Sequence, residues 1–199
     1  RKKDETSRPS FKELSASNMI KGLFSFRMVQ AVGRGGIFAF LPIFASTIGL
    51  SISLIGVLIS TNVLSVTLFT PLGGIIADRF SRRTLVIVGS MLFAIFLASV
   101  PLTSSFGQLI TVLLLQGIGG AISMPAGSAL AVEEGRKYGM GSTVSMLFLA
   151  MSIGMALGPI ISGVIADLLD VNSVFYFGAI MGLIGTGLFI WFTREYLTL

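Results

Sequence analysis

Apolar positions along this chain fall in six long runs, separated by short clusters of charged or turn-forming residues. The runs cover roughly residues 22–48, 53–77, 84–103, 107–132, 141–166 and 172–193. Each is long enough, at 1.5 Å per helical residue, to cross a hydrocarbon core of about 30 Å. Strand-like alternation over ten residues is absent. Backbone groups in lipid must pair within their own segment, so the runs predict helices. The expected fold is all-α: a polytopic membrane protein with six transmembrane helices in a bundle over residues 18–199.

The polar remainder sets an orientation. Residues 1–17 are basic and contain Pro9 and several serines; they read as a cytoplasmic linker, with room for a short interfacial helix around Phe11 to Leu14. With the amino terminus inside, the cytoplasmic segments are 1–21, 78–83, 133–140 and the tail. They hold Lys21, Arg79, Arg82, Arg83, Arg136, Lys137 and Arg194 besides the bases of the leader, whereas the outer loops near 49–52, 104–106 and 167–171 hold no Lys or Arg. Asp167 and Asp170 fall outside, where acids are tolerated. The asymmetry predicts both termini in the cytoplasm and residence in the plasma (inner) membrane. Trp191 and Phe192 suit an aromatic belt at the inner end of the last helix.

Composition narrows the function classes. Only 12% of residues are charged, about half the share of a soluble domain. The net charge of +5 sits in clusters between oily segments and not in a stripe, so nucleic acid is not an expected partner; the bilayer is. The chain has no cysteine and no histidine, which removes thiolate metal sites, disulfides and the usual near-neutral proton carrier. No phosphate loop, nucleophile constellation or metal spacing occurs, so neither enzyme, cofactor nor metal is expected. The chain starts at Arg1 with no signal peptide, and the expectation is a piece of a larger protein, or a trimmed one.

An internal repeat runs through the apolar segments. "GIIAD" at Gly74–Asp78 recurs as "GVIAD" at Gly163–Asp167, an offset of 89 residues that also carries Gly89 onto Gly178. The second and third helices thus match the fifth and sixth in the opposite orientation. An inverted three-plus-three repeat is a common plan of secondary transporters.

Two stretches then carry a family resemblance. "GGIIADRFSRR" resembles the major facilitator superfamily signature G-x-x-x-D-R-x-x-R-R, with Gly74, Asp78, Arg79, Arg82 and Arg83 in place. "GMALGPIISG" resembles that family's fifth-helix motif G-x-x-x-G-P-x-x-G-G through Gly154, Gly158, Pro159 and Gly163, with Ser162 replacing one glycine. The resemblance implies a six-helix half of a twelve-helix transporter. The arginine usual in the fourth helix of the amino-terminal half is Leu113 here, before Gln116-Gly117, so the reading is the carboxy-terminal half.

Asp78 closes the second helix at the end where the macrodipole disfavours an anion, by about 0.3–1 kcal/mol. The resemblance implies that it latches an inner gate against a helix of the other half. The plain alternative is a solvated pair with Arg79 or Arg82. Glu133 and Glu134, read as ending the fourth helix, are the expected partners of the arginines on that face.

Arg34 lies about 10 Å deeper than Arg27 in the first helix. A charge there costs about 2.5–3.5 kcal/mol on insertion scales, so it should face a cavity or a partner. Gln30, Arg34, Phe38 and Leu41 share one face by helical spacing, and the resemblance implies that the first and fourth helices line a central cavity. Arg34 is therefore a candidate for substrate or coupling, against the alternative that it snorkels or bonds backbone carbonyls near "GRGG". Asn62 and Gln116 are further cavity candidates, each equally suited to hydrogen bonds between helices. Gly154, Gly158, Pro159 and Gly163 are read as kink and packing residues.

The expected function is secondary active transport of small molecules by alternating access. The lean is towards proton-coupled efflux of drug-like compounds, an antiporter whose carrying carboxylate lies in the other half, because the helix centres here contain none. Two alternatives stand beside it: a non-transporting receptor or assembly protein with the same fold, and a six-helix unit that pairs with itself.

Overall fold

Four of the helix starts among the described residues are capped by a serine or aspartate side chain. Ser17 accepts from the backbone N–H of Ile20 at 3.3 Å, Ser51 from Leu54 at 3.4 Å, Ser105 from Gln108 at 3.4 Å and Asp170 from Ser173 at 2.7 Å. Each satisfies one of the amide groups left over at a helix start. The computed structural model describes residues 17–194. The expected leader, with its interfacial helix, lies outside them except for Ser17.

The described residues form six helices: α1 (Asn18–Thr47), α2 (Ile52–Arg79), α3 (Arg82–Ser99), α4 (Phe106–Tyr138), α5 (Met140–Leu168) and α6 (Val171–Thr193). A short 3-10 turn, Val100–Leu102, follows α3. All six are long and apolar enough to span a bilayer. The protein is an all-α polytopic membrane protein.

Three ends differ by four residues or more from the sequence expectation, and one of them is α3, which stops at Ser99 where the run is expected to reach 103. α1 starts four residues early, at Asn18, because Ser17 caps it. α4 runs through Glu133 and Glu134 to Tyr138 instead of ending beside them. Glu, Arg and Lys are good helix formers, and Arg136 and Lys137 complement the dipole at its carboxy terminus. The stop is Gly139, whose φ of +95° disfavours any side chain and turns the chain straight into α5.

α1 packs on α5 and α6, α4 packs on α2 and α3, and α3 meets α6. Exchanging α1–α3 with α4–α6 maps this contact pattern onto itself, as an inverted repeat requires. The offset of 89 residues reaches individual contacts. Gly36 lies against Ser162 and Gly73 against Pro125, and the offset carries Gly36 to Pro125 and Gly73 to Ser162. α1 and α4 are the central helices: 61% and 50% of their most apolar stretches are buried, against 17% and 22% for α2 and α5.

The core divides into two clusters, one towards each end of the bundle. Leu41, Phe44, Leu58, Leu97, Leu109 and Phe175 build one, with Phe44 edge-on to Phe175 at 5.2 Å. Leu23, Phe26, Val86, Ala126, Leu130 and Phe189 build the other. Between them the helices touch through glycine. Gly154 and Gly158 of α5 sit against the carbonyl oxygens of Met28 and Val32 of α1, and Pro159 stands beside Gly35. With no hydrophobic drive between helices in lipid, such backbone contact supplies the dispersion energy that holds α1 to α5. Of the four residues read as kink and packing positions, Gly163 contributes least; a methyl there would meet only Phe40, at 3.8 Å.

Candidate functional site

At one end of the bundle the α2–α3 corner approaches the last turns of α4. Arg82 forms an ion pair with Glu133 and lies 3.8 Å from Asp78, one turn before it. Glu134 points elsewhere. Its buried carboxylate accepts from Ser17 Oγ and Lys137 Nζ, each at 3.1 Å, because α4 continues past it and turns it towards the start of α1. Arg83 lines a surface recess with Glu133 and Glu134, and Arg79 is exposed. The Asp78 side chain is 77% exposed, and Arg82 is its ion-pair partner among the described residues. A methyl group on Gly74 would meet nothing within 4 Å. The motif face is therefore open, with no neighbouring helix end against Asp78 among the described residues.

Midway along the bundle, α1, α2, α3 and α4 border an open recess of about 180 Å³, lined by Arg34, Phe38, Asn62, Thr67, Phe93 and Gln116 among others. Arg34 sits over the Phe93 ring, 5.5 Å from its centre, and its Nη1 lies 3.3 Å from the sulfur of Met124. A cation over an aromatic face is stabilised without a counter-charge, by about 0.5–2 kcal/mol. No carboxylate pairs with it among the described residues.

Asn62 and Gln116 are bonded to each other. Asn62 Nδ2 donates to Gln116 Oε1 at 2.8 Å and to the Leu113 carbonyl at 3.0 Å, and Ser65 Oγ donates to the Leu114 carbonyl at 3.0 Å. These bonds tie α2 to α4 where Gly117 leaves room for Ser65. Both amides also line the recess, so the packing and cavity readings describe the same pair.

The face read from helical spacing in α1 divides. Arg34 and Phe38 line the recess, whereas Gln30 and Leu41 are buried, at 5% and 2% exposure, and line neither recess described for α1. At about 100° per residue, Leu41 falls about 20° round the helix from Gln30, while Phe38 is about 80° round. Gln30 and Leu41 thus share a buried strip, and the Gln30 amide nitrogen has no partner among the described residues.

Arg27 escaped the sequence reading, where it served only as a depth marker. Its Nη2 donates to Ser128 Oγ at 2.8 Å and to the Met124 carbonyl at 3.3 Å. It borders a second recess, of about 320 Å³, between α1, α4 and α5. Its spacing of seven residues from Arg34, two helical turns, was the available signal.

The family model of the Major Facilitator Superfamily matches residues 23–198. Among curated proteins, the chain is 29% identical over 155 residues to the multi-drug resistance efflux pump PmrA of Streptococcus pneumoniae, covering 76% of this chain and 37% of that protein. It is 24% identical over 153 residues to the quinolone resistance protein NorA of Staphylococcus aureus, covering 77% and 39%. It is 25% identical over 173 residues to the putative multidrug resistance protein MdtD of Cronobacter sakazakii, covering 87% and 36%. The chain thus spans well under half the length of these relatives.

Proposed function

Because the chain belongs to the Major Facilitator Superfamily, we propose that it is one six-helix half, the carboxy-terminal one, of a secondary transporter that moves small molecules by alternating access. The observation that carries this reading is the polar recess around Arg34, Asn62 and Gln116, set between two apolar clusters in the middle of membrane-length helices. Polar and charged side chains at that depth are costly and mark a pathway by default. The names of the relatives support drug-like compounds as cargo and export as the direction.

The open face around Gly74 and Asp78 supports a gate. A helix of the other half would close on Gly74, where a side chain has free space in this half, and its start would receive the Asp78 carboxylate. Both termini would face the cytoplasm, an orientation that the distribution of Lys and Arg supports, with the plasma (inner) membrane as the proposed location. If a proton gradient drives the cycle, the carrying carboxylate belongs to the other half. Between Glu13 and Glu133 this half has Asp78 alone, at a helix end.

The test is reconstitution of the full-length protein into proteoliposomes, with ethidium and norfloxacin as trial cargo under imposed proton or sodium gradients. Accumulation that collapses with the gradient is expected. If no solute moves under any gradient, a non-transporting membrane protein with the same fold becomes the better reading.

A further inference from the structure

The recess beside Arg27 has the chemistry of a site for one class of ligand. Its walls are Met124, Val144, Leu147, Phe148 and Met151 with their neighbours on α4 and α5, and Arg27 is its sole charged lining residue. Every hydrogen-bond partner of that guanidinium among the described residues is neutral: the Ser128 hydroxyl and the Met124 carbonyl, both on Nη2. Nε is buried without a partner among the described residues. Arg34 stands two turns away, against the sulfur of the same Met124, and likewise has no carboxylate partner among the described residues. Two positive charges therefore flank one methionine, midway along membrane-length helices where a lone cation is costly.

An organic cation entering this recess would meet repulsion from both arginines. A purely apolar compound would leave Arg27 uncompensated. We infer that the recess between α1, α4 and α5 takes an amphipathic organic anion, its carboxylate, sulfonate or phosphate head on Arg27 and its apolar body against Leu147, Phe148 and Met151. A guanidinium recognises such heads through charge-assisted, directional hydrogen bonds, and a mostly apolar wall with a few polar anchors is the usual make-up of a small-molecule site. The inference deepens the transporter reading, on which the identity of the ligand as cargo rests.

Equilibrium binding of naphthalene-2-sulfonate to the full-length protein in lipid nanodiscs, followed by calorimetry, tests this apart from transport. The sulfonate should bind at least about tenfold more tightly than naphthalene-2-sulfonamide, the worth of a charged hydrogen bond. Arg27→Gln should weaken it by about tenfold or more, Arg27→Lys by less, and Met151→Trp, which fills the recess, should abolish it. Equal affinity for sulfonate and sulfonamide, or unchanged affinity in a folded Arg27→Gln variant, overturns the assignment. So does a wild type that binds no sulfonate, the result expected where a carboxylate from outside this chain neutralises Arg27. Flux of naphthalene-2-sulfonate, ethidium and norfloxacin in proteoliposomes of the same protein separates the two readings: binding that follows Arg27 with no flux of any of the three removes transport and keeps the site.

Discussion

The amide of Asn62 in α2 donates to Oε1 of Gln116 in α4, 54 positions further along the chain, at 2.8 Å. The bond sits at the rim of the midplane recess, and Gln116 itself is only 1% exposed. Asn62→Leu leaves a buried carbonyl oxygen without its donor and should cost about 0.5–2 kcal/mol. Adding Gln116→Leu should recover part of that loss, because both polar groups are then gone. Reversible unfolding in mixed micelles measures the cycle; strictly additive losses would mean that the two amides do not act as a pair.

The α1–α5 seam, like its counterpart between α2 and α4, is predicted to tolerate added side chains poorly. A methyl group at Gly158 meets the Val32 carbonyl oxygen and the Gly35 Cα, and backbone cannot step aside as a side chain can. Gly158→Ala should destabilise by about 1–3 kcal/mol. Gly187→Ala in α6, where nothing lies within 4 Å, should be neutral or stabilising by up to about 1 kcal/mol. Thermal denaturation of the two variants side by side gives the contrast, and equal shifts would refute it.

Asp78 should matter to conformation and hardly to stability. Its side chain is exposed and its pair with Arg82 is long, so Asp78→Asn should change unfolding by less than about 0.5 kcal/mol. The gate reading expects the same variant to shift the inward–outward balance. Cysteines introduced on this cysteine-free chain would report that shift by their labelling rates; identical labelling on both faces returns Asp78 to a plain surface pair.

The transporter reading expects Arg34→Ala to lower transport while membrane insertion stays intact, since removing a charge midway along the helix relieves an insertion cost of about 2.5–3.5 kcal/mol. Expression level and flux, measured on one preparation, separate the effects. Wild-type kinetics would take Arg34 out of the pathway.

Asp170 predicts an acid limit on the start of α6. Its carboxylate is held below its ordinary 3.8, first by the Ser173 hydroxyl and then by the Ser173 amide. A folded pKa below the unfolded one gives stability that is complete above the unfolded value and is lost as pH falls through the folded value. Thermal stability should therefore be level in this respect down to about pH 4 and decline below it. Asp170→Asn, which still caps but does not titrate, should flatten that decline.

The helices were legible because lipid leaves the backbone no alternative, and apolar length alone then marks each span. Their ends were less so. The boundary at residue 132 placed α4 too short because charge was read as loop, whereas Glu133 to Lys137 are helix formers and the true stop is Gly139. Arg34 announced itself by depth. Arg27 did not, since a base five residues into a run expected to start at residue 22 passes for one near headgroup level; only the contact with Ser128 reveals that it turns inward. The fate of Glu134 was equally hidden, because its partner Ser17 is 117 positions away.

The interleaving of the repeats bears on how the protein is made. Helices leave the ribosome in chain order, but α1 finds its principal neighbours in α5 and α6, the last to arrive. Until then its glycine face, and the arginines that end up against Met124 and Ser128, must wait in the bilayer or in the insertion machinery without their final contacts. Synthesis halted after α3 would strand α1, whereas α4 can meet α2 and α3 as soon as it is made, so the docking of α1 is the late step.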